Sequence, residues 1–215
     1  MTSAVAGRIV LIAGASSAAG RATAAALTGA GARVVAVGSN SDRLKSVAAE
    51  ARYACDLADF TAVERLAETV RADLGPIDGL IHLVGGWRGG GGLAGQNDED
   101  YDFLHTHVVA TLRNTTRAFN ADLLASPTGR LAIVSSVSVD RPTPGGASYA
   151  AAKAAAETWV RAVGYGFSKA KSEAAAVIFV VKSLEGLETE LASRVVRLWD
   201  EPAASVNEAR VPLTA

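Results

Sequence analysis

Cysteine is almost absent from this sequence: Cys55 is the only one in 215 residues. A single thiol forms no internal disulfide, so the fold must stand on packing alone, and a reducing, cytoplasmic setting is expected. Histidine is scarce too, with three copies at positions 82, 105 and 107. His105 and His107 are two residues apart and project from different sides of a helix, which argues against a metal site. No excess of charge exists either. A net charge of −1 lacks the electrostatic footprint of a nucleic-acid or anionic-membrane binder. No apolar run approaches the ~20 residues that span a bilayer, so no membrane partner is expected. Met1–Gly7 is too short and polar for a signal peptide before a strand pattern begins at Arg8.

What remains is ordinary globular material, with 49% hydrophobic and 20% charged residues. The length suits one domain over residues 1–215 with a sizeable buried core. Sixteen arginines against five lysines, with abundant alanine, is the composition of a GC-rich bacterial coding sequence.

Apolar runs alternate with amphipathic stretches along the chain. Strands are predicted at Arg8–Ala13, Arg33–Val37, Arg52–Cys55, Ile77–Val84, Leu131–Val134 and Ala175–Val181, with a short seventh at Arg210–Leu213. Helices are predicted at Ala18–Ala30, Thr61–Leu74, Tyr101–Leu124, Ser148–Phe167 and Leu187–Trp199. This β-α alternation predicts a Rossmann-type, doubly wound α/β fold. Its parallel sheet of about seven strands has helices on both faces and binds ligand at the strands' carboxyl ends. Residues 85–95 hold seven glycines around Trp87 and Arg88. They are either a flexible connector or, by their place after strand four, a wall of the ligand cleft.

The first strand runs directly into Gly14-Ala-Ser-Ser-Ala-Ala-Gly20 and then a helix. A pyrophosphate needs free backbone N–H groups at a positive helix end with no side chains in the way, and glycines there meet that need. A glycine turn alone is weak evidence; its position between first strand and first helix strengthens it. Asp56, just past strand three, is placed to accept from an adenine amino group, though singly it reads equally well as a helix cap.

Tyr149 and Lys153 stand one helical turn apart on one face. A free phenol titrates near ~10; a neighbouring ammonium favours the phenolate and makes a usable general acid and base. Ser136, at the end of strand five, supplies a hydroxyl for a substrate carbonyl. Taken alone, Ser135, Ser136 and Ser138 are also a polar strand exit.

The glycine turn, Asp56, Ser136 and the Tyr149/Lys153 pair, in this order and spacing, resemble the short-chain dehydrogenase/reductase family from Arg8 to about Val181. The resemblance implies hydride transfer between a nicotinamide cofactor and a carbonyl or alcohol carbon. Tyr149 would be proton donor or acceptor, Lys153 would hold the nicotinamide ribose and lower the phenol's pKa, and Ser136 would steady the substrate oxygen. It implies a cofactor site from Gly14, Ser16, Ser17, Ala18, Ala19 and Gly20, then Ser39, Asn40 and Arg43, then Asp56 and Leu57. Val84, Gly85 and Gly86 complete it with Tyr149 and Lys153. It also implies a homodimer or homotetramer paired through the long helices.

Four departures stand out. Ala18 replaces the family's middle glycine, and one methyl crowds the pyrophosphate. His82-Leu83-Val84-Gly85 replaces Asn-Asn-Ala-Gly, losing polar support after strand four. His107 takes the place of the asparagine that serves a proton relay, with Asn114 as a rival; a His can relay a proton or simply pack. After strand six, Lys182–Gly186 leads almost directly into the last helix, so the substrate lid is nearly gone. The site is then open, or closed by the Trp87 loop or another subunit.

No carboxylate follows strand two until Asp42, and Ser39, Asn40 and Arg43 suit a 2′-phosphate, so NADP(H) is expected over NAD(H). Trp87 is a candidate substrate contact; the glycine-tryptophan segment is similar to one in dihydropteridine reductases, which handle a flat heterocycle. Trp87 serves equally as a loop anchor. Two other functions compete with a carbonyl reductase: a dinucleotide-binding regulatory or assembly protein, and a subunit whose lid a partner chain supplies.

Overall fold

The computed structural model describes residues 3–214. Seven strands run β1 (Ile9–Ala13), β2 (Arg33–Gly38), β3 (Ala51–Ala54), β4 (Gly79–His82), β5 (Arg130–Ser136), β6 (Ala175–Val181) and β7 (Arg210–Pro212). They form one all-parallel sheet in the order β3-β2-β1-β4-β5-β6-β7. The direction of winding reverses between β1 and β4, and a crevice opens there at the carboxyl ends.

Every residue of β1 is buried, and successive side chains serve opposite faces. Ile9, Leu11 and Ala13 join one core, Val10 and Ile12 the other. The helices are α1 (Ala18–Gly29), α2 (Ser41–Leu44), α3 (Phe60–Asp73), α4 (Asp98–Leu104), α5 (Thr111–Ala125), α6 (Ala147–Lys169), α7 (Glu188–Arg197) and α8 (Ala203–Val206). The first core packs α3, α5 and α6 against the sheet, and the second packs α1 and α7. Short polar side chains start the helices: Ser17 Oγ accepts from Gly20 N at 3.0 Å, Asp59 from Thr61 N at 2.9 Å, and Asn97 from Asp100 N at 2.8 Å.

The structure corrects several boundaries. Strand four was expected to reach Val84 but ends at His82, because its neighbour β1 stops at Ala13, the partner of His82; one last bond runs from Leu83 N to the Ala13 carbonyl at 2.8 Å. The helix expected over Tyr101–Leu124 starts earlier, at the Asn97 cap, and is not one regular helix. A π-helical segment, His105–Ala110, separates α4 from α5, and Thr111 N closes the wide turn on the Thr106 carbonyl. Such segments are rare and cluster at functional sites. Strand five runs on to Ser136 instead of stopping at Val134, as its pairing with β6 continues to Ser136 and Val181.

Candidate active site

The crevice begins at the turn from β1 to α1. Gly14 has φ +81°, and a Cβ there would lie 2.8 Å from the Leu83 carbonyl carbon; one on Gly20 would lie 2.5 Å from the Gly14 oxygen. Both glycines therefore let helix, turn and strand end pack closely. Ser17 caps α1, Ala19 and Gly20 are buried, and Ala18 is exposed and lines neither of the two cavities that follow. The guanidinium of Arg21 donates to the Ser16 carbonyl, so a cation that sequence reading passed over stands beside this turn.

Two cavities follow, sharing Val84. One, of about 310 Å3, is lined by Gly14, Ser16, Ser39, Asp56, Leu57 and His107 among others. Asn40 and Arg43 do not line it. The Asn40 Oδ1 accepts from Arg43 N at 3.0 Å as the α2 cap, while the Arg43 side chain is exposed and forms no ion pair among the described residues. The Asp56 carboxylate accepts from Ala58 N at 2.9 Å and remains exposed.

The second cavity, of about 250 Å3, brings together Val84, Gly85, Gly86, Trp87, Tyr149 and Lys153, with His82, Ser135 and Lys182. Ser136 is buried beside it, its hydroxyl donating to Ser138 Oγ at 3.0 Å and accepting from Ser138 N at 3.1 Å. Lys153 is buried and donates to the Val134 carbonyl at 2.8 Å; burial pulls its pKa down to about 8, with Glu157 opposing.

The expected electrostatic pairing of Tyr149 and Lys153 needs correction. The Lys153 Nζ is 5.8 Å from the Tyr149 ring centroid, and burial pushes the phenol's pKa up, opposed by Ser136 and not by Lys153. The ammonium is turned to the strand carbonyl and not to the phenol.

Nor does Asn114 stand at the site. It is buried, and its Nδ2 donates to the carbonyls of Leu57 and Ala58 at 3.1 and 2.9 Å, anchoring the loop after β3. His107 Nδ1 is 2.9 Å from the Phe103 carbonyl and its ring stacks on Phe103, 4.1 Å between centroids. It lines the first cavity, not the one holding Tyr149 and Lys153.

The glycine-rich segment is not a slack connector. Gly90 N donates to the Gly145 carbonyl at 2.8 Å, and Gln96 Nε2 donates to the Gly145, Gly90 and Gly92 carbonyls at 3.1, 3.3 and 3.3 Å. The Gln96 Oε1 accepts from Ser148 N at 3.1 Å, next to Tyr149. One glutamine thus straps the loop to the start of α6, leaving Trp87 61% exposed at the cavity rim. The Arg88 guanidinium also lies over Phe103, 3.8 Å from the ring centroid. Only Lys182–Leu187 separates β6 from α7, so no long lid covers the cavity from that side.

Sequence reading missed His82, Gln96 and Arg21. It also missed Glu157, whose carboxylate accepts from Ser135 Oγ at 2.6 Å and from Arg210 Nε at 3.0 Å. None carries a local motif, and each gains its place only through contacts distant in the chain.

Comparison with known proteins places this geometry in context. A family profile described as short chain dehydrogenase matches residues 8–191. The 2,3-dihydro-2,3-dihydroxybenzoate dehydrogenase of Bacillus subtilis (strain 168) is 28% identical over 166 residues, covering 74% of this chain and 63% of that protein. The 3-oxoacyl-[acyl-carrier-protein] reductase FabG of Salmonella typhimurium is 29% identical over 153 residues, covering 69% and 62%. The chain thus spans less than two thirds of the length of these curated relatives. Among solved structures, a metagenomic short-chain oxidoreductase in complex with NADP superposes with a TM-score of 0.84 at 24% identity, covering 99% of this chain and 100% of that one. An NADPH-bound short chain oxidoreductase from Pseudomonas aeruginosa PAO1 with an atypical catalytic center gives 0.85 at 20% identity, covering 96% and 95%. These two likenesses are of fold.

Proposed function

The chain belongs to the short chain dehydrogenase family, and from that premise we propose that it is an NADP(H)-dependent oxidoreductase acting on a small carbonyl or alcohol substrate. The observation that carries this reading is the convergence of Tyr149 and Lys153 in one cavity with Ser136 buried beside it, next to a second cavity at the switch point of the sheet.

The residues present fit a dinucleotide. The two cavities meet at Val84, and the glycine turn leaves backbone free at the helix end. No carboxylate follows β2 before Asp42, which favours a 2′-phosphate, with Ser39, Arg43 and Arg21 as its candidate partners. When bound, the nicotinamide supplies or accepts the hydride. Tyr149 gives its phenolic proton to the substrate oxygen in reduction and takes it back in oxidation. Ser136 must release Ser138 to reach that oxygen. Lys153 holds positive charge beneath the site, and Trp87 offers a flat apolar face at the rim for the substrate. We also assign the protein to the reducing cytoplasm, as a homodimer or homotetramer.

The test is to titrate NADPH and NADH and then assay a panel of aldehydes, ketones and pteridines. Tighter NADPH binding and turnover that Tyr149→Phe abolishes are expected. Tighter NADH binding overturns the cofactor preference, and turnover unchanged in Tyr149→Phe overturns the mechanism. The short Lys182–Leu187 connection favours a second reading, a nucleotide-binding regulatory or assembly protein, which robust turnover excludes.

A further inference from the structure

His82 closes β4, two residues after Leu80 and on the same face of the sheet, the face covered by α5 and α6. It is 3% exposed, and its Nε2 has no hydrogen-bond partner among the described residues. Leaving a buried polar nitrogen unpaired is costly, so packing alone favours an apolar residue here. Yet His82 lines the same cavity as Tyr149 and Lys153. Burial, and then the Lys153 charge, lower the imidazole's pKa to about 3, against slight support from the His82 and Thr111 carbonyls. The ring is therefore neutral at ordinary pH. The charges near it are Lys153 and, one helical turn further along α6, Glu157. His107 has no equivalent place, being held on Phe103 in the other cavity.

We propose that His82, not His107, completes the proton supply of this site, its Nε2 holding one water against the Lys153 ammonium. The inference rests on the oxidoreductase reading above and deepens it. With the proton on Nδ1, Nε2 is an acceptor and orients the water's oxygen toward Nζ. In reduction, where a bound nicotinamide would supply the hydride, the substrate oxygen takes the Tyr149 proton. The phenolate left behind takes a proton from the Lys153 ammonium, which must swing off the Val134 carbonyl to deliver it. The amine so formed takes a proton from the His82-bound water, which solvent restores through the open mouth. One N–H bond is broken and re-formed, His82 keeps its charge throughout, and the net uptake is one proton per turnover. His82 acts through Lys153 and is a positioning residue.

Nitrogen-15 NMR of the cofactor-free protein tests the contact without any turnover, since only three histidines need assigning. The His82 Nε2 resonance should stay in the neutral range from pH 5 to 9, shift as Lys153 titrates, and lose that shift in Lys153→Met. A resonance indifferent to both overturns the proposal, whatever the enzyme does. In the kinetic arm, His82→Leu should lower kcat about tenfold or more and change the solvent isotope effect, with the Kd for NADPH unchanged. His82→Asn, which keeps a hydrogen-bonding amide, should recover most of that loss. A folded His82→Leu variant with wild-type kcat and pH profile overturns the proposal; if it does not fold, the NMR arm decides. A wild-type protein that reduces no carbonyl compound sinks the oxidoreductase reading, while the NMR arm still judges the His82–Lys153 contact.

Discussion

Ser135 donates a 2.6 Å hydrogen bond to the buried carboxylate of Glu157, fastening the end of β5 to the middle of α6. Arg210 of β7 reaches the same carboxylate at 3.0 Å and Asp140 at 2.7 Å. The strand that ends in Ser136 and the helix that carries Tyr149 and Lys153 thus share one buried anion. Glu157 is also the charge that opposes the fall in the Lys153 pKa.

Glu157→Gln keeps the shape and removes the charge. Lys153 should then titrate below its present value of about 8, and stability should drop by about 1–3 kcal/mol as buried partners lose a charged acceptor. Lysine-directed NMR titration and denaturant melts read the two effects. A Lys153 titration that does not move would show that Glu157 serves the fold alone.

Lys153 makes stability depend on pH in a definite direction. Its folded pKa of about 8 lies below the ordinary 10.5, so above pH 8 the unfolded chain binds the proton that the folded chain has lost. Its contribution is full above 10.5 and is lost as pH falls through 8. Relative to Lys153→Met, the cofactor-free wild type should gain about 1–3 kcal/mol between pH 8 and 10.5. Melts at half-unit steps test this; a flat difference across that window rejects it.

Gln96→Ala removes the strap between the glycine-rich loop and the start of α6. The freed loop should raise KM for the carbonyl substrate several-fold while the Kd for NADPH holds. Stability should fall by about 1 kcal/mol, the usual value of a lost helix cap. An unchanged KM would place the loop outside substrate binding.

Gly20→Ala drives a methyl to within 2.5 Å of the Gly14 oxygen, which is backbone and cannot swing aside. The turn must open, and NADPH affinity should fall at least tenfold, read by fluorescence titration. Wild-type affinity in a folded Gly20→Ala protein would move the phosphate site elsewhere.

The parallel sheet, the turn after β1 and the Tyr149/Lys153 spacing were legible because each is written in neighbouring residues. Strand burial shows as short apolar runs, the tight turn needs glycine, and one helical turn is four positions. The π segment at His105–Ala110 was not legible, because its residues carry no signal separating a wide turn from a regular one. Asn114 and His107 looked alike as relay candidates, and only the structure shows that Asn114 is bonded to the Leu57 and Ala58 carbonyls while His107 meets the Phe103 carbonyl and lines the first cavity.

Local chemistry by itself determined the fold class, the glycine cradle and the pair of residues offered for proton transfer, since these follow from periodicity and backbone freedom over a few positions. Tertiary structure alone decided which way the Lys153 ammonium points, that Gln96 ties the loop down, and that buried His82 lines the same cavity as Lys153 with an unpaired nitrogen. Those outcomes depend on desolvation and on partners brought from 19 to 71 residues away, and no local pattern encodes them.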